Sequence, residues 1–88
     1  MVKLTSPIAR GEPDALREWM LDKFAKGEHL SLADLFKSFH NEVYSLKYPE
    51  YRSRIKGIIL DQYLLLLHQK EIVYDHDETK AHYNHQDG

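Results

Sequence analysis

The stretch Pro49–Lys70, PEYRSRIKGIILDQYLLLLHQK, is the longest uninterrupted run of helical character in the chain. Its first half is polar and cationic and its second half is almost wholly apolar. At about 100° per residue, Tyr51, Ile55, Ile58, Ile59, Gln62, Leu65 and Leu66 gather on one side, which is therefore expected to be the core face. A neighbouring sector is apolar only late in the helix, at Leu60, Tyr63, Leu64 and Leu67. Earlier in the helix the same sector holds Arg52, Ser53 and Lys56. A helix that changes character midway predicts one end sunk in a small core and the other turned toward a partner.

The flanking sequence supplies elements that such a helix can pack against. Upstream, Ser31 and Asp34 form a capping-box variant, with Leu30 and Leu35 spaced for a hydrophobic staple. From there Leu32, Leu35, Phe36, Phe39, Val43 and Leu46 follow a helical stripe, and Tyr48-Pro49 ends it because a residue before proline is pushed out of the α region. An earlier helix opens at Pro13, buries Leu16, Trp19, Met20 and Phe24, and stops at Gly27. Along it Asp22 and Lys26 are spaced to pair, while Arg17 and Glu18 point to water. Residues 1–12 carry Pro7 and Gly11 and no sustained period, so they read as an N-terminal arm with freedom to move. Downstream of Lys70 the period drops to two. Ile72 and Tyr74 share one face, Asp75–Thr79 makes a polar turn, and Ala81 and Tyr83 share a face on the return, which predicts a β-hairpin. Residues 85–88 read as a frayed tail.

Composition bounds what such a domain can be. Eighty-eight residues with 42% hydrophobic and 30% charged content predict one small folded domain, near the size at which a single apolar core suffices. The absence of cysteine excludes disulfides and thiolate metal sites. No apolar leader or membrane-length run is evident, so the expected location is cytoplasmic, with no membrane partner. A net charge of -2 and a pI near 6.3 mean that any contact with nucleic acid must come from a local patch.

Three helices followed by a hairpin, with a short extended His29-Leu30 segment ahead of the second helix, resemble the winged helix-turn-helix architecture over roughly residues 13–84. The run LLLLHQKEIV at 64–73 is similar to the pattern in which leucines end the recognition helix, a polar turn follows and an aliphatic pair opens the wing. The fold this implies is mainly α with a small β-hairpin (α+β), a three-helix winged-helix-like domain. The resemblance also implies that the helix at 49–69 enters a major groove and that the hairpin at 71–84 touches the backbone or minor groove, with the His29-Leu30 segment joining it as a third strand. The partner this suggests is double-stranded DNA and the role that of a transcriptional regulator acting as a dimer.

The residues placed to contact DNA are Lys47, Tyr48, Tyr51, Arg52, Ser53, Arg54 and Lys56, because Arg can grip guanine edges and all of these types can hold phosphate. The plainer alternative is a solvated helix end that merely carries charge. Leu60, Tyr63, Leu64 and Leu67 are either covered by the hairpin and first helix or form an interface with a second copy or another protein. Together with the acidic turn Asp75, Asp77 and Glu78, they motivate the alternative function of a protein-interaction adaptor that does not bind DNA.

Of the six histidines, His76, His82 and His85 lie near Asp75 and Asp77. Because an odd spacing sends His82 and His85 to opposite strand faces, and His29, His40 and His68 are scattered in sequence, no metal and no cofactor is expected. No nucleophile with a partnered base, no glycine-rich phosphate loop and no paired carboxylates in an apolar pocket emerge, so the chain is not expected to be an enzyme.

Overall fold

A computed structural model describes residues 7, 8, 10–43, 49–77 and 79–84, with only the backbone described for Val43, Pro49, Glu50 and Tyr51. Helices α1 (Pro13–Ala25), α2 (Leu32–Val43) and α3 (Pro49–His68) precede a two-stranded antiparallel sheet of β1 (Ile72–Tyr74) and β2 (Ala81–Tyr83). The chain is thus mostly α with a small β-hairpin. The expected tail at 85–88 and the boundary at Tyr48, with Leu46 and the first part of the arm, lie outside the described residues.

The helix ends follow from local chemistry. Pro13 opens α1, and past its end Gly27 takes φ 91, a left-handed conformation that costs glycine little. At the start of α2 the Asp34 backbone N–H donates to Ser31 Oγ at 3.1 Å, and the Ser31 N–H donates to Asp34 Oδ2 at 3.0 Å. Two donors that the helix cannot satisfy internally are thereby paired. The hydrogen bond from the Ser31 backbone, helped by Lys80 3.6 Å away, holds the Asp34 carboxyl below its ordinary range. At the far end of α3, Glu71 N donates to Leu66 O (3.0 Å) and Lys70 N to Leu67 O (3.1 Å), the two bonds of a Schellman motif. Its left-handed position is filled by Lys70 at φ 62, where glycine is usual. Asn84 Nδ2 donates to the Lys70 carbonyl at 2.7 Å and ties this turn to the hairpin.

The core lies where α3 meets α1, α2 and β1. Leu16, Met20 and Phe24 come from α1, Leu35 and Phe39 from α2, and Ile55, Ile59, Tyr63 and Leu66 from α3, with Leu30, Ile72 and Ala81 closing the hairpin end. Trp19 packs edge-on against Phe39 with ring centroids 5.5 Å apart, and its Nε1 donates to Glu42, which also pairs with Lys23. The stripe on α3 differs from the expected one. Tyr63 is 4% exposed and Leu65 is 39% exposed, so the buried row runs Ile55, Ile59, Tyr63, Leu66. The reason is that leucine and isoleucine occupy nearly every side of this helix after Gly57, so the positions of α1 and β1 select the buried side.

The described part of the arm lies against the core. Gly11 N donates to Ile8 O and Glu12 N to Pro7 O, each at 3.1 Å, and Ile8 packs on the buried cluster. Gly11 is required here twice over. Its φ is +75, and a Cβ at this position would stand 2.9 Å from Ile55 Cγ1.

The hairpin pairs Ile72 with Tyr83, Val73 with His82 and Tyr74 with Ala81. Leu30 adds a rung on the other edge of β2, exchanging both backbone hydrogen bonds with Ala81 at 2.9 Å. The segment before α2 therefore joins the hairpin edge. No helix among the described residues is long and apolar enough to cross a membrane.

Candidate nucleic-acid interface

The first half of α3 carries the cationic group. Arg52, Ser53, Arg54 and Lys56 are all exposed, while Ile55 between them is fully buried. The helix is thus fixed from below, and its polar side chains stand on a rigid support. Lys56 Nζ lies 5.3 Å from the centre of the Phe36 ring, a cation–π contact that steadies the ammonium at the α2–α3 junction. Among the described residues no carboxylate pairs with Arg54 or Lys56. Of the other residues expected in this group, Lys47 and Tyr48 lie outside the described residues, as does the Tyr51 side chain.

The second half of α3 presents a different surface. Leu60, Leu64 and Leu65 are 39, 50 and 39% exposed, Leu67 is half-buried against the core, and Tyr63 is buried. The expected apolar sector therefore divides, with Tyr63 serving the core and Leu60 and Leu64 facing outward. Burial, and after it the nearby Tyr74, Asp75 and Asp34, pushes the Tyr63 phenol up to about 12.

No protein-family model, curated protein or solved structure matches this chain.

Several carboxylates among the described residues pair with cations within the domain. Glu71 accepts from Arg17 at 2.8 Å, Glu42 from Lys23 at 2.6 Å, and Asp22 from Lys26 at 3.1 Å, the spacing anticipated along α1. Arg10 pairs with Glu12 beside the Gly11 turn. At the hairpin, Asp77 accepts from Thr79 N at 3.2 Å, and Glu78 lies outside the described residues.

Asp75 has partners that sequence reasoning missed. His29 Nδ1 lies 2.9 Å from its Oδ2 and 3.1 Å from its Oδ1, and His82 Nδ1 lies 2.5 Å from Oδ1. The two imidazoles stack with centroids 4.9 Å apart. Hydrogen bonds from His29 first and His82 second hold the Asp75 carboxyl below its ordinary range. His29, expected to be isolated, thus belongs to a cluster. The signal was present in the proposed pairing of the His29-Leu30 segment with the hairpin. Once Leu30 lies opposite Ala81, antiparallel register sets His29 opposite His82.

Proposed function

We propose that this chain is a winged-helix-type DNA-binding domain of the kind used in transcriptional regulation. In this reading the first half of α3 enters a major groove and the hairpin lies along the backbone. The observation that carries the reading is the exposed set Arg52, Ser53, Arg54 and Lys56, held on a helix whose opposite side is locked into the core. The element order supports it, as does the isolated Leu30–Ala81 rung that joins the segment before α2 to the hairpin edge. Arg54 and Lys56 would contact phosphates or base edges, and Ser53 would donate to phosphate oxygen.

Fluorescence anisotropy with duplex DNA across a salt series tests the proposal. Binding at low salt is expected, with an affinity that falls linearly on a logarithmic salt scale, by a slope of about 0.9 per phosphate contacted. The double charge reversal Arg54→Glu with Lys56→Glu should weaken binding and flatten that slope while leaving the melting temperature nearly unchanged. Absence of binding at low ionic strength, or unchanged affinity in the reversed variant, would overturn the reading.

A second reading is favoured by the exposure of Leu60, Leu64 and Leu65. Outward leucines on a surface helix suit a contact with a second copy or another protein, so the domain would act as an adaptor. Sedimentation across a concentration series separates the self-association form. A dimer that dissociates in Leu60→Ser with Leu64→Ser supports it, and a monomer at high concentration argues against it.

A further inference from the structure

We infer that His29, Asp75 and His82 form a binding site for a divalent transition-metal ion of the zinc, nickel or copper class, which staples the segment leading into α2 to the hairpin. The site is built by register. Leu30 and Ala81 exchange two hydrogen bonds at 2.9 Å, which sets His29 beside His82 on the adjoining position. Val73 pairs with His82, and Asp75 N donates to Lys80 O at 2.8 Å, so Asp75 stands two residues beyond the partner of His82 and on the same face. Three strand-like segments thereby deliver three donors to one spot.

The donor geometry fits such an ion. One ligand atom from each side chain lies within 4.8 Å of the others. A tetrahedral ion with bonds of about 2.0–2.2 Å needs donors roughly 3.3 Å apart. The Nδ1-to-carboxylate distances of 2.5 to 3.1 Å lie inside that spacing, so admitting an ion requires the groups to spread, by roughly 0.2 Å at His29 and up to roughly 0.8 Å at His82. The side chains have room for it, being 55, 23 and 35% exposed for His29, Asp75 and His82. Two imidazole nitrogens and one carboxylate are a donor set for zinc, nickel or copper, whereas magnesium and calcium require a shell of oxygens. One carboxylate charge offsets part of the ion's charge, and solvent completes the coordination. On binding, the Nδ1 atoms that now face Asp75 give up their protons to become ligands, and the ring protons reside on Nε2.

Calorimetric titration of the full chain with zinc chloride tests the inference, alongside melting curves at increasing zinc. One equivalent should bind, and the melting temperature should climb with zinc concentration as mass action requires. His29→Gln, Asp75→Asn and His82→Gln should each lower zinc affinity at least about tenfold, the smaller end of what even an outer-sphere partner costs when removed. His68→Gln and His76→Gln should bind as the native chain does. Nitrogen-detected NMR of the native protein gives a readout that does not depend on any variant folding. The Nδ1 resonances of His29 and His82 should move on zinc addition, with those of His40, His68 and His76 unmoved. Absence of binding would overturn the site, as would binding that persists in the His29→Gln and His82→Gln double variant, or movement confined to the other histidines.

Discussion

The inward and outward sides of α3 obey different rules. Inward, Ile55, Ile59, Tyr63 and Leu66 make one uninterrupted buried row along the helix. Outward, the surface is cationic and polar from Arg52 to Lys56 and then apolar at Leu60, Leu64 and Leu65. The uniform side is set by packing against α1, α2 and β1, and it tolerates little change. The non-uniform side is exposed at Arg52, Ser53, Arg54, Lys56, Leu60, Leu64 and Leu65, and the proposed DNA contact and the alternative protein contact rest on its division into a charged half and a leucine half.

Substitutions on the two sides should separate sharply. Ile59→Ala leaves a cavity at the centre of the buried row and should cost about 2–5 kcal/mol, a large share of a small domain's stability, read by denaturant melts. Gly11→Ala attacks the same row from the arm. A left-handed φ and a Cβ 2.9 Å from Ile55 Cγ1 should together cost about 1–3 kcal/mol. If that variant proves as stable as the native chain, the Gly11 turn does not anchor the arm. Lys70→Gly, at the turn where α3 hands over to the hairpin, should stabilise by up to about 1 kcal/mol, because glycine removes the left-handed penalty that lysine carries at φ 62.

Alkaline pH probes the inward side through the buried Tyr63 phenol. In the folded state the Tyr63 phenol titrates at about 12, against an ordinary value of 10.0. Unfolded chains therefore lose that proton first as pH rises. The associated stability is fully present below pH 10 and is lost as pH climbs toward 12. Tyr63→Phe should flatten this alkaline decline in urea melts, and an unchanged decline would place its origin elsewhere. The smallest effect belongs to the outward side. Leu64→Ala should shift stability by less than about 0.5 kcal/mol, and a larger loss would mean that the leucine half is packed within the domain.

Much of this architecture was legible in the sequence, because the signals that set it are local. The Ser31–Asp34 box, the Gly27 stop, the proline starts and the two-residue period of the hairpin each depend on neighbours within a few positions. The phase of the α3 stripe was not legible. A helix that is apolar almost all round after Gly57 gives periodicity nothing to choose with, so Leu65, expected on the core face, is exposed, while Tyr63, from the sector left open between cover and interface, is buried. The Lys70 turn was hidden for another reason, since lysine there carries none of the signal that glycine would. Within the candidate interface the exposure of Arg52, Ser53, Arg54 and Lys56 agrees with the helical projection. The His29–Asp75–His82 cluster spans 46 and 7 residues of sequence separation and could be found only by carrying the register of one long-range rung outward by a single position.

The division of labour along α3 is tested most directly by amide NMR of the labelled full chain during titration with duplex DNA at low salt. The predicted result is chemical-shift change concentrated at residues 52–56 and along the hairpin, with Leu60, Leu64 and Leu65 unmoved. Shifts confined to those leucines, or no shifts at any DNA concentration, would contradict the assignment of DNA contact to the cationic half.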